Sequence, residues 1–246
     1  MKRLSWHWWL LLTLLTTAFL VLRLPATVMG SIIAAQTKDK LQLAGAQGSL
    51  WQGSAQPLLQ GTALGERLDW VWQPKALLKG RLAYQITLDG GQGLVSIGWG
   101  GLAIQEVNLA VAAAPVFQLD KGVKPYGLSG QLRLASPELR YQAGKPTGTL
   151  TLDWLGANSS LAPMVSPLGD YRLTLSPAGE GLRIQLATLG GRLQLNGGGH
   201  WEASQGLAAE VGLQASPGSE AVLSPFLNQV GQGNPGGERM LRFNYR

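Results

Sequence analysis

The sequence contains no cysteine, which excludes disulfide scaffolds, thiolate zinc clusters and thiol nucleophiles. Histidine is nearly missing as well. His7 and His200 are the only two, which starves most metal and acid–base chemistry. Charged residues reach only 14%, against a usual share of about 25%. That scarcity excludes a coiled coil and a charged disordered tail, and no G-X-Y period points to collagen. The net charge of +6 comes from 20 basic and 14 acidic residues. The basic residues stand singly, with no stripe and no interleaving with aromatics, so no nucleic-acid partner is expected.

Apolar residues and glycine fill the space: 45% hydrophobic, with 34 Gly and 13 Pro in 246 residues. Residues 4–22 carry no Asp, Glu, Lys or Arg, an uncharged run of 19. A helix of that length nearly spans a hydrocarbon core of about 30 Å. Trp6, Trp8 and Trp9 stand near its start, where amphipathic rings favour the membrane–water interface. Lys2 and Arg3 precede the run and favour the cytoplasmic side. Leu4, Trp6, Trp8, Trp9 and Leu22 are therefore read as anchor residues. The competing reading is a cleaved signal peptide, whose apolar core is about 7–15 residues long and ends in a small-x-small site. Here the run is longer, and Arg23-Leu24-Pro25 follows it. The expected organisation is a cytoplasmic stub (1–3), a transmembrane anchor (4–24), a short helical connector (25–40) and an exported β domain (41–246).

Beyond Lys40 the apolar period changes to two. Leu68, Trp70 and Trp72 alternate, as do Leu82, Tyr84, Ile86 and Leu88, and again Leu182, Ile184 and Leu186. Each run is short and ends in Gly, Pro, Asn or Ser, which predicts half-buried strands, roughly 10–12 of them, in a long curved antiparallel sheet. A loose Gly-x-Leu repeat at Gly48, Gly80, Gly130, Gly148 and Gly191 reads as glycines that turn or bulge the chain before a strand. Residues 158–169 read as a loop, and residues 219–230 as a short helical face carrying Val222, Phe226, Leu227 and Val230. Helix in the exported region is expected mainly at its two ends.

Candidate catalytic patterns are weak. Gly231-x-Gly233-x-x-Gly236 matches a dinucleotide fingerprint by letters, but it follows a helical pattern, contains Pro235 and leads to a strand. His200, Glu202 and Ser204 include triad residue types without a nucleophile elbow. Asp89 and Asp170, each beside glycine, read as turn residues. Trp70 and Trp72 share a strand face, where a buried core is the expected role and a ligand platform the alternative. No catalytic, metal or cofactor site is expected, and the protein is read as a non-enzyme.

Gly48-Ser49-Leu50-Trp51-Gln52-Gly53-Ser54-Ala55 resembles the G-[TS]-L-W-x-G-x-A signature of the type II secretion system protein N family. The match falls on Gly48, Leu50, Trp51, Gly53 and Ala55. Trp70, Trp72 and Pro74 resemble that family's W-x-W-x-P segment. From the residues themselves, Gly48 and Gly53 leave room that Trp51 is expected to fill, either as packing in a first hairpin or as a docking surface. The resemblance implies an inner-membrane protein, single-pass, with its bulk in the periplasm. It implies an accessory structural component that assists export of folded proteins across the outer membrane by protein–protein contact. Its partners would be other inner-membrane secretion components, with the outer-membrane secretin as a further candidate. The alternative is a lipid-handling protein similar to the AsmA-like group, with an apolar β groove. A periplasmic hydrolase is a third option and would need an unusual carboxylate pair. Open sheet edges would suit partner binding by strand addition.

The charge bias and the tryptophans predict a topology. A reporter active only outside the cytoplasm, joined after Arg246, should be active. Activity of a cytoplasm-only reporter at that position would overturn it.

Overall fold

The computed structural model describes residues 6–230, 232–233 and 238–245. Lys2, Arg3, Leu4 and most of the glycine-rich stretch around Gly231, including Gly236, lie outside the described residues. The chain opens with helix α1 (Trp6–Leu22) and helix α2 (Thr27–Thr37). Strands β1 (Leu41–Gly48), β2 (Gln52–Leu59), β3 (Thr62–Ala63) and β4 (Leu68–Trp72) follow. Next come β5 (Arg81–Leu88), β6 (Gly91–Gly98), β7 (Gly101–Ala112) and the short helix α3 (Ala113–Phe117). The middle of the chain gives β8 (Leu128–Gln142), β9 (Lys145–Gly148), β10 (Leu150–Ser159) and β11 (Gly169–Ala178). The last part gives β12 (Gly181–Gly191), β13 (Leu193–Glu202), β14 (Gly206–Ala215), helix α4 (Glu220–Leu227), β15 (Gln232–Gly233) and β16 (Arg239–Tyr245).

The strands form one sheet, β1-β2-β4-β5-β6-β7-β8-β10-β11-β12-β13-β14-β16-β15, with β3 hung on β2 and β9 on β8. Neighbours pair antiparallel along the chain order, so most ladders close across a short turn and need no crossover. The all-β antiparallel expectation holds. The strand count does not: 16 strands occur among the described residues, against the roughly 10–12 expected. Three of them, β3, β9 and β15, are only 2, 4 and 2 residues long and offer no alternation to read. All five glycines of the Gly-x-Leu repeat have positive φ, between 66° and 130°. The repeat therefore marks left-handed backbone at strand starts and bulges.

The longer helices of the exported region lie toward its two ends, as expected, with shorter helical pieces between them. α3 interrupts the middle, and 3₁₀ turns occupy Pro74–Lys79 and Lys124–Tyr126, each with proline in its first turn. Proline pre-sets φ for a helical start, which short apolar runs do not reveal. Asp170 is no turn residue either. It lies in β11, and its carboxylate accepts the Gly156 N–H at 2.7 Å, across a bulge in the β10–β11 ladder. Asp89 does serve a turn: its carboxylate accepts the N–H groups of Glu66 and Arg67.

Two cores hold the sheet. The smaller packs Ala26, Ala55 and Trp70 with Met29, Leu43, Ala46 and Tyr84, so α2 is laid on the β1 end of the sheet. The larger gathers Leu193 and Leu213 from the sheet with Leu223, Phe226, Leu227 and Val230. α4 thus turns Leu223 inward, while Val222, expected on the buried face, is exposed. The segment between β10 and β11 is more than a loop: Ala162, Val165 and Leu168 plug this same core.

α1 is apolar on every side and stands exposed along its length. Such a helix needs an apolar environment from outside the fold. The hydroxyls of Thr13 and Thr16 donate to the carbonyls of Trp9 and Leu12 at 2.8 Å, leaving little polar surface. Among the described residues, however, no helix is long and apolar enough to cross a membrane. The described part of α1, 17 residues, reaches about 26 Å.

Among the described residues Tyr171 is the largest fully buried side chain, at 1% exposure, and its hydroxyl donates to the Leu193 carbonyl at 2.9 Å. Burial pushes its phenol pKa up, with the Asp170 charge adding to the shift. Tyr171→Phe keeps the ring against Trp154 and deletes that bond. Its denaturant midpoint should fall by an amount equivalent to about 1–3 kcal/mol. An unchanged midpoint would show that the bond contributes nothing.

Candidate functional site

The sequence signature folds into a corner where α1 meets the sheet. β1 ends at Gly48 and β2 begins at Gln52, so Ser49, Leu50 and Trp51 form the turn between them. The end of a helix leaves its last carbonyls without partners. At this corner the turn supplies two donors. The Trp51 indole N–H donates to the Val21 carbonyl at 2.9 Å, and the Leu50 N–H to the Leu24 carbonyl at 2.8 Å. In return Ala26 N–H donates to the Gly48 carbonyl at 3.1 Å, and Pro25 bridges Ser49.

Trp70, 4% exposed, braces the turn from β4: its indole N–H donates to the Ser49 and Leu50 carbonyls, each at 3.2 Å. Trp72, next on the same face, stacks tilted on Trp51 with ring centroids 4.6 Å apart. Glycine is required at two places here. Gly48 has φ +91°, and a Cβ there would meet the Gln52 carbonyl oxygen at 2.5 Å. A Cβ on Gly53 would lie 2.5 Å from Trp70 Cζ2. Trp70, then, occupies the room beside Gly53, where Trp51 was expected. Trp51 is only half-buried and faces the helix end. The expectation failed because the alternation of β2 says nothing about which neighbouring strand leans over a missing side chain.

Of the predicted site residues, Gly48, Leu50, Trp51, Gly53, Ala55, Trp70 and Trp72 come together at this corner, with Ala55 buried beside Trp70. Pro74 opens the 3₁₀ turn that leaves β4. Leu22 ends α1 at the corner, whereas Trp6, Trp8 and Trp9 sit at the other end of the helix. The partners that sequence reading missed are backbone groups of Val21, Leu24 and Ala26. They lie 22–30 residues from their partners Trp51, Leu50 and Gly48, and no side-chain pattern announces them.

A second feature lies in the later half. A cavity of about 500 Å³ is lined by Leu132, Trp154, Leu173, Leu195, Leu213 and Phe243, among other apolar residues. Its walls run from β8 to β16, seven neighbouring strands that would spread about 30 Å if flat. The sheet must therefore curl around it. The segment from α3 to β8 crosses its mouth, with Phe117 against the Trp154 ring at 4.7 Å. Tyr245 on β16 donates its hydroxyl to Asp120 at 3.0 Å, tying this strap to the last strand. That hydrogen bond, with the N–H groups of Gly122 and Val123, holds the Asp120 carboxyl below the usual carboxylate range. His200 is an exposed strand residue, paired in register with Arg183 and Ala208.

Comparison with known proteins is specific. A family model described as type II secretion system (T2SS), protein N, matches residues 39–242, from just before β1 into β16. A protein of Vibrio cholerae serotype O1 named type II secretion system protein N is 33% identical over 184 residues, covering 70% of this chain and 69% of that protein. No solved structure matches.

The corner generates a paired prediction. Gly53→Ala forces a methyl into the Trp70 ring and should destabilise the fold by about 1–3 kcal/mol in chemical denaturation. Trp51→Phe keeps an aromatic ring and removes one hydrogen bond, so global stability should fall by no more than about 0.5–1.5 kcal/mol. Limited proteolysis between α1 and α2 should accelerate in Trp51→Phe. Equal loss of global stability in both variants would contradict this division of roles.

Proposed function

The chain belongs to the type II secretion system protein N family, and on that premise we propose that it is an accessory structural component of the secretion machine, working by contact. The observation that carries this reading is the extent of the family match. It runs from residue 39 to residue 242, from just before β1 into β16, and leaves out both α1 and α2. The working part is thus the β body, and α1 holds it in place. α1 is read as a single-pass anchor in the inner membrane, its start cytoplasmic and the body in the periplasm. The sheet then assists passage of folded proteins toward and across the outer membrane, without a catalytic step. Its partners are other inner-membrane components of the machine, with the outer-membrane secretin as a further candidate.

The fold offers a physical means. β16 runs seven residues, and β15 covers it only at Met240 and Arg239. Among the described residues, the rest of that outer edge has no strand beside it, which suits strand addition by a partner. The opposite edge, β1, is backed by α2 and is the less accessible of the two.

The apolar cavity favours a second reading, a lipid-handling protein similar to the AsmA-like group. Its volume and lining suit a small apolar ligand. We prefer the contact reading because the strap and α4 close over the hollow, so that its floor serves the larger core.

Deletion of the gene separates the two. The contact reading expects reduced release of exported enzymes with an intact outer-membrane permeability barrier. In-cell cross-linking from Arg242 and Asn244 on β16 should capture secretion components. Normal release together with a leaky outer membrane and lipid-only cross-links would replace it with the lipid reading.

A further inference from the structure

The turns that share the corner's end of the sheet have an unusual surface. Antiparallel pairing puts four connections side by side there: β1–β2, β4–β5, β6–β7 and β8–β9. The first clasps the end of α1. The second, the 3₁₀ turn Pro74–Lys79, leaves Leu77 exposed and Leu78 90% exposed. The third carries Trp99, 100% exposed, beside Gly80. A large aromatic residue at the tip of a tight hairpin, with no packing partner, is costly in water.

Charge on these turns has one sign. Lys75, Lys79 and Lys145 are all exposed. The connections themselves, residues 49–51, 73–80, 99–100 and 143–144, contain no acid; of the acids deeper in the flanking strands, Asp69 is paired with Arg67, and Glu138 with Arg140 and Gln105. Two hairpins at this same end of the sheet but farther along it serve as an internal contrast. The β11–β12 and β13–β14 turns carry Gly179, Glu180, Ala203, Ser204 and Gln205, without a large apolar or basic residue. Among the described turns at this end, exposed large apolar side chains and lysines gather on the β4–β5, β6–β7 and β8–β9 connections, on the side of the sheet where α1 exits.

We propose that this end of the sheet is a membrane foot: Leu77, Leu78 and Trp99 insert into the lipid interface, while Lys75, Lys79 and Lys145 meet anionic headgroups. The inference rests on reading α1 as an anchor. That helix ends against Trp51, Trp51 stacks on Trp72, and Trp72 leads directly into the 3₁₀ turn, so the foot continues the anchor's own contact with the bilayer. The tip of β6–β7 lies three strand spacings from β2, about 15 Å. Aromatic and leucine side chains with lysine nearby are the composition that favours the headgroup boundary. A helix gives one point of attachment and leaves the body free to swing. A foot three strands away gives a second, and the sheet then stands with its strands steep to the membrane.

The absence of native cysteine permits single-site labelling of the full chain. An environment-sensitive fluorophore is placed at Leu78→Cys, at Ser204→Cys as the contrast, and at Leu14→Cys inside α1. The protein is reconstituted in vesicles of phosphatidylethanolamine with phosphatidylglycerol, and separately in phosphatidylcholine alone. The foot predicts that lipid-borne quenchers act several-fold more strongly on the Leu78 label than on the Ser204 label. It also predicts that added Lys75→Glu, Lys79→Glu and Trp99→Ser changes remove the difference while circular dichroism stays unchanged. The preference should be greater on the anionic vesicles and weaken with salt. Equal, water-like behaviour at Leu78 and Ser204, with the Leu14 label quenched, overturns the foot and leaves the anchor. A Leu14 label that stays in water overturns the anchor and the foot together. Shielding of Leu78 only when other secretion proteins are added assigns the patch to a protein partner and overturns the lipid assignment.

Discussion

An exposed apolar helix can orient a β-sheet only if its end is fastened, and here the fastening is a set of hydrogen bonds at one corner. At the end of α1 the regular helical bonding runs out, and from its own segment the Val21 carbonyl receives the Leu24 N–H at 3.3 Å. Trp51 and Leu50 supply donors to Val21 and Leu24, and Ala26 donates back to Gly48. Trp70 holds the clasping turn by its Ser49 and Leu50 carbonyls. Two glycines make the geometry possible, one by positive φ and one by yielding its side-chain volume to a ring. From this corner α2 runs back along β1, β2 pairs with β1, and each later strand is templated on the one before it. The orientation of the whole sheet relative to α1 descends from a few bonds.

The two cores have different tasks. The small one seals α2 to the first strands and keeps the corner dry, with Ala26 and Trp70 at its centre. The large one closes the curled later half, using α4 and the segment after β10 as plugs. Between them the sheet relies on ladders and on half-buried faces, as in β10, where nearly every residue is partly exposed. Surface ion pairs such as Arg172 with Asp153 add register more than stability.

How much of this was readable beforehand follows from which forces leave a local trace. Alternation in Leu82, Tyr84, Ile86 and Leu88 and the positive-φ glycines gave the antiparallel β class, because strand faces and turns are local properties. The motif in residues 48–55 marks the stretch that folds into the corner with the end of α1. Its meaning was hidden, since Trp51 serves a carbonyl 30 residues away and Trp70 fills the room beside Gly53. Strands of two to four residues were invisible for want of a period. The strap was equally illegible, because the Tyr245–Asp120 bond joins residues 125 positions apart.

The central claim is that the tryptophan corner fixes α1 to the sheet. Pulsed electron paramagnetic resonance measures it directly, with spin labels at Thr17→Cys on α1 and Gln56→Cys on β2 in the otherwise cysteine-free chain. A narrow distance distribution that broadens when Trp51→Ala is added is the result this account predicts. A broad distribution in the protein with Trp51 intact would mean that α1 swings freely, and would contradict it.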